Sequence, residues 1–276
     1  MPSIGDLTRI RTNVSALNAL NALKQINDQL NITNLRLATG KRINSAADDP
    51  AGLTLANGLA LRARRIGAAI NNIGDAQNLL SIAESGLSSI NDILATMMEK
   101  LTLAANDTQG TSERDAILQE LQQLGSEIDA LTQQTQYNGK ILLTAGALTF
   151  QAGPDGADVA VFSLSQAFTS AALGINQLTV ATQALASLSM GSVQVAINSV
   201  QSALQRLGAV MERMQTRSNN LAVAQLNVTA ASSRIVDADL AAEQLNAAKL
   251  QILQQTATAQ LAAANAAPAS LLTLFQ

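Results

Sequence analysis

No cysteine and no histidine occur among the 276 residues. Their absence removes disulfides, thiol chemistry, the usual zinc ligands and the one side chain suited to proton transfer near neutral pH. A hydrolase or metalloenzyme is therefore not expected, and neither is any cofactor or metal. Redox usage also says nothing about the compartment. Tryptophan is absent too, and one tyrosine with four phenylalanines leaves aromatics at 2% against 47% hydrophobic residues. Leucine, isoleucine and alanine must make nearly all of the packing, which favours closely spaced helices over a core filled by aromatic rings. Charge is equally scarce, 13% of residues with 17 basic against 20 acidic, and the net −3 offers no electrostatic footprint for nucleic acid. The opening MPSIGDLTRIRTNV lacks the uninterrupted apolar core of a secretory signal peptide, so export would use another route. The apolar carboxy-terminal stretch is broken by Gln260, Asn265 and Pro268 and falls short of a membrane span of about 20 residues, so no membrane insertion is expected.

What the chain does contain is helical periodicity. Ile10, Val14, Leu17, Leu20, Leu23, Ile26 and Leu30 recur three or four residues apart, with Asn, Gln and Thr between them. This is an amphipathic helix with few charges on its polar face, and alone it would be marginal in water because its stripe needs a partner. A second run places Ile66, Ile73, Leu80, Leu87, Leu94 and Leu101 every seven residues, with Ala69, Ala76, Ala83, Ile90 and Met97 three after each of the first five. Alanine at alternate core positions permits close helix approach. Asn106, Asp107 and Gly110 end that run, and Thr111 or Ser112 starts another helix carrying Ile117, Leu121, Leu124, Ile128 and Leu131. Asn138-Gly139 is a turn signal that stops it.

One region reads as strand: Leu148, Phe150 and Ala152 alternate before Gly153-Pro154-Asp155-Gly156, and Val159, Val161 and Ser163 alternate after it, which predicts a small β-hairpin. A third heptad follows through Val193, Ile197, Val200, Leu204, Leu207, Met211, Met214, Ser218, Leu221, Gln225 and Val228, long enough to return antiparallel along the second run. In the last run Leu250, Leu253, Ala257, Leu261 and Ala264 line one face, as poor in charge as the first run. The expected fold is mainly α: a long antiparallel helical bundle or coiled coil with one small β-hairpin, its terminal helices paired. Those ends offer more apolar stripe than one pair can bury, so each chain exposes surface suited to association with its own copies.

Residues 34–58 interrupt the helical pattern between the first two runs and read as a joint. Gly40 breaks the first helix, Asp49 can cap the next one, and Pro50 suits its first turn because proline has no amide to leave unpaired there. This stretch, Arg36-Leu37-Ala38-Thr39-Gly40-Lys41-Arg42-Ile43-Asn44-Ser45-Ala46-Ala47-Asp48-Asp49-Pro50-Ala51-Gly52-Leu53, resembles the joint segment of bacterial flagellins. Further segments resemble the family in the same order: Ile10 to Leu20, Asn71 to Leu87, Tyr137-Asn138-Gly139-Lys140, Phe150-Gln151-Ala152-Gly153, Ser233 to Asp239, and Lys249 to Gln255.

The resemblance implies a short-form flagellin, a non-enzymatic structural subunit that assembles into the extracellular filament for swimming motility. By it, residues 1–44 and 232–276 pair as an inner tube domain and residues 45–231 form a rod domain, with its hairpin at about 141–164 and a short connector, 165–192, in place of outer domains. The residues expected to carry self-assembly are Val14, Leu17, Leu20, Ile26, Leu30, Leu250, Leu253 and Leu261, and those of the joint are Arg36, Gly40, Arg42, Asn44, Asp48, Asp49 and Pro50. The implied partners are further copies and sister flagellins, hook-associated junction and cap proteins, the flagellar export apparatus and an export chaperone. Two rivals remain at this point, a hook-filament junction protein with similar ends and a secreted coiled-coil effector. Asp237 and Asp239, two apart, read as a polar helix start and not as an acid/base pair, since no convergent partner accompanies them.

Overall fold

A computed structural model of the chain describes residues 12–272; Ile10 and the residues before it lie outside them. Among the described residues five helices and four short strands follow in the order α1 (Val14–Thr39), α2 (Pro50–Ala104), α3 (Thr111–Gln134), β1 (Gln136–Tyr137), β2 (Lys140–Ile141), β3 (Gly146–Gln151), β4 (Val159–Leu164), α4 (Gln183–Val236) and α5 (Leu240–Leu272). They divide into two compact units, one of residues 1–61 and 227–276, the other of residues 62–226.

In the second unit the heptad expected for α2 is the core. Ile66, Ala69, Ile73, Ala76, Leu80, Ala83, Leu87, Ile90, Leu94, Met97 and Leu101 are all no more than 2% exposed. The α4 stripe is rotated slightly from the expected one. Val193, Ala196, Val200, Ala203, Leu207 and Met214 are buried, while Ile197, Leu204, Met211 and Leu221 are only partly covered. Small alanines occupy the buried stripe, and the larger neighbours, partly covered, flank it. Gln77 donates to Gln215 at 3.1 Å and Gln225 to the Ala63 carbonyl at 3.4 Å, which makes α4 antiparallel to α2.

The turn signals act as expected, with refinements. Asn138 and Gly139, at φ 50° and 76°, form the two-residue turn between β1 and β2, a small ladder that the alternation pattern did not announce. The β3–β4 hairpin pairs Leu148 with Phe162 and Phe150 with Ala160. Its inward face on β4 is therefore Ala160, Phe162 and Leu164, and the valines at 159 and 161 point to solvent. Alternation alone cannot tell which face is covered, because both faces of this strand carry apolar residues. Residues 165–182 have no regular structure yet bury Phe168, Leu173, Ile175 and Val180, and the Thr132 hydroxyl lies 2.7 Å from the Phe168 carbonyl. Helix α4 then starts at Gln183, ten residues before its clear periodicity.

Candidate self-assembly site

In the first unit, α1 and α5 lie antiparallel. The covered stripe of α1 runs through Ala16, Ala19, Leu23, Ile26, Leu30, Thr33 and Leu37, with Val14, Asn27 and Arg36 partly covered beside it, and that of α5 through Glu243, Ala247, Leu250, Gln254, Ala257, Leu261 and Ala264. Both alternate spacings of three and four, the period that keeps two helices in contact along their length.

Three polar contacts set the register of this seam. Arg36 meets Glu243 at 3.1 Å, the Gln254 amide donates to Asn27 Oδ1 at 2.7 Å, and Asn13 reaches the Ala264 carbonyl at 2.7 Å. The third has a cause in the sequence. Pro268 has no amide hydrogen, so the carbonyl four residues earlier, on Ala264, lacks its helical donor. The Asn13 side-chain nitrogen supplies one, while its Oδ1 accepts from the Ala16 amide at 3.0 Å and caps α1.

The joint is pinned to the break between α4 and α5. Gly40 ends α1 in the left-handed conformation at φ 69°, where a side chain would be strained, and its amide returns to the Arg36 carbonyl at 2.8 Å. The Arg42 amide donates to the Val236 carbonyl at 2.6 Å, the Ala238 amide to the Gly40 carbonyl at 2.9 Å, and the Arg42 guanidinium to the Ile235 carbonyl at 2.8 Å. Ile43 is buried at the centre. Asp49 caps α2 by accepting from the Gly52 amide at 2.8 Å, with Pro50 in the first turn, and the Asn44 side chain donates to the Lys41 carbonyl at 2.9 Å. On the opposite side, Asp239 caps α5 through the amides of Ala241 and Ala242, and Asp237 accepts from the Ser233 hydroxyl at 2.6 Å. Asp239 is therefore the polar helix start expected of the pair, whereas Asp237 follows the end of α4 and bonds to its last turn.

Asp48 Oδ2 accepts from the Ser45 amide at 2.8 Å, the Asn44 amide at 3.0 Å and the Ser45 hydroxyl at 3.1 Å. These bonds, the Ser45 amide foremost, hold its carboxyl below the ordinary aspartate range, with a smaller contribution from the Arg36 charge. A lowered folded pKa means the turn's support is complete above the unfolded value and is lost as pH falls through the lowered one. In an acid titration followed by NMR, the Asn44 and Ser45 amide signals should move at a lower pH than a free aspartate titrates. Asp48→Asn should abolish the step.

The eight residues expected to carry assembly divide by exposure. Leu250 is buried in the seam, and Val14, Ile26, Leu30 and Leu261 are partly covered, whereas Leu17, Leu20 and Leu253 face solvent at 51%, 36% and 40%. Gln254 takes the seam place that the spacing had suggested for Leu253. The sequence reading also missed three more exposed apolar residues of α5, Leu240, Leu245 and Ile252, at 52%, 74% and 64%. The separation of seven residues between Leu245 and Ile252 was the available signal. The Arg36–Glu243 pair left no such trace, because neither residue sits in an apolar pattern.

The amino-terminal helical region of bacterial flagellin matches residues 10–147, and its carboxy-terminal helical region matches residues 190–275. The chain belongs to the bacterial flagellin family. It is 33% identical to the flagellin of Bacillus subtilis (strain 168) over 97% of this chain and 100% of that protein. It is 29% identical to flagellin FlaB1 of Treponema pallidum (strain Nichols) over 97% of this chain and 99% of that one. A solved structure of a putative flagellar hook-associated protein from Vibrio parahaemolyticus shares the fold at a TM-score of 0.57 and 15% identity, covering 69% of this chain and 100% of that one. As a flagellin, the chain is a structural subunit of the extracellular flagellar filament, and no described helix is long and apolar enough to cross a membrane.

Proposed function

We propose that this flagellin polymerises through the α1–α5 pair, which acts as an assembly element without catalytic duty. One observation carries the reading. The seam is closed internally, yet Leu17, Leu20, Leu245, Ile252 and Leu253 remain uncovered on the outer faces of the same two helices. Apolar rows of this kind on a soluble subunit mark a surface that is covered by association. Neighbouring copies cover it in the filament. Sister flagellins would enter through the same rows. The export apparatus and a chaperone deliver the subunit, and junction and cap proteins meet its ends, as family membership suggests.

The test is seeded growth, followed by sedimentation and negative-stain microscopy, of the full-length chain against residues 45–231. Long filaments from the full-length chain and none from the shortened one are expected. Equal growth of both would remove the terminal pair from the assembly surface.

A further inference from the structure

Asparagine is followed by glycine at two places in the chain, Asn57-Gly58 and Asn138-Gly139. In this pair the asparagine amide is readily lost, because glycine has no side chain to hinder attack by its own main-chain nitrogen on the preceding side chain. The sequence makes the two places equivalent, and so does exposure, since all four residues face solvent. Backbone hydrogen bonding separates them. Asn57 and Gly58 lie inside α2, so the Gly58 amide belongs to the helical ladder and donates to the carbonyl four residues earlier, on Thr54. Attack on the Asn57 side chain requires that turn of α2 to open first. The Gly139 amide lies between β1 and β2, outside both strands, and donates to no main-chain carbonyl among the described residues.

The turn around Asn138 is also lightly held. Its ladder consists of two residue pairs, Gln136 with Ile141 and Tyr137 with Lys140, and a two-stranded ladder this short frays readily in water. Asn138 has φ 50°, the one positive value outside glycine among the described residues, a conformation that opening the turn relieves. A β-carbon built on Gly139 would meet nothing within 4 Å, so no neighbour encloses the reacting atoms. The joint offers a contrast. Asn44 precedes Ser45, but the Ser45 amide is held by Asp48 Oδ2 at 2.8 Å, which keeps that nitrogen from the same attack.

We infer that Asn138 is a site of spontaneous deamidation in the folded protein, whereas Asn57 is protected by its helix. The Gly139 nitrogen gives its proton to solvent and bonds to Asn138 Cγ; the Cγ–Nδ2 bond breaks, the amide leaves as ammonia, and a five-membered imide closes. One water then opens the ring, at Cγ to give aspartate or at the main-chain carbonyl carbon to give isoaspartate, with no change of oxidation state. Either product sets a carboxylate beside Lys140, and isoaspartate adds one main-chain atom to the turn that places Tyr137 opposite Lys140. The experiment incubates full-length protein, folded and in concentrated urea, in slightly alkaline water carrying a heavy oxygen isotope, so that only amides lost during incubation are labelled. Digestion at acid pH and mass spectrometry then read Asn57 and Asn138 separately. In the folded protein Asn138 should take up label at least about tenfold faster than Asn57, because α2 must open locally before Asn57 reacts. In urea the two should react at similar rates. No label at Asn138 in the folded protein, or folded rates as alike as those in urea, overturns the proposal.

Discussion

Full-length protein carrying Leu17→Asp together with Leu253→Asp should grow no filaments from seeds while melting close to the wild type. Both leucines face solvent in the subunit, so the new carboxylates remain hydrated there. The subunit loses only helix propensity, about 0.5 kcal/mol at each position. In a polymer that buries these rows, the same carboxylates would sit unpaired against apolar neighbours, at a cost of several kcal/mol. Each 1.4 kcal/mol is a factor of about ten, so elongation should fall by at least about 100-fold. Leu250→Asp provides the contrast. Its site is buried between α1 and α5, so that variant should lose both growth and the pairing of the two helices, seen as a fall in helical circular dichroism. If Leu17→Asp/Leu253→Asp elongates at the wild-type rate, those rows are not the polymer contact.

Leu94→Ala should lower the stability of the second unit by about 3 kcal/mol, measured as a drop in urea midpoint at unchanged slope. Leu94 is 0% exposed and belongs to the α2 heptad between Ile90 and Met97. The core around it has little with which to fill the gap, since aromatic side chains are few and the opposing α4 positions include Ala196 and Ala203. A packed helical core relaxes only partly around a deleted side chain, so most of the lost volume stays as cavity. Leu103→Ala removes the same atoms from a residue that is 54% exposed and should change stability by no more than about 0.5 kcal/mol. Against a typical domain stability of about 5–15 kcal/mol, the first loss is large enough to reduce the folded population at physiological temperature. A midpoint for Leu94→Ala equal to that of Leu103→Ala would place Leu94 outside the core.

The sequence by itself determined the helices, their order and much of the core. Eleven α2 positions named from a seven-residue repeat are buried, because a sustained heptad has one face that water cannot be allowed to reach. Caps and turns were legible for a similar reason: Asp49, Pro50, Gly40 and Asn138-Gly139 act through their own backbone, within a few residues. The family was legible from the order of its segments along the chain. Tertiary structure decided the rest. Which face of β4 is covered depended on what packs against it, since Val161 and Phe162 are equally apolar to a pattern. Whether Leu253 or Gln254 enters the seam depended on Asn27, more than 200 residues away in the chain, offering a hydrogen bond. The joint's hold on Val236 and Ala238, and the Arg36–Glu243 pair, likewise join residues far apart in sequence. Periodicity reports only that a face is apolar; the partner that covers it, or that leaves it open to a second copy, is set by the long-range packing of the folded chain.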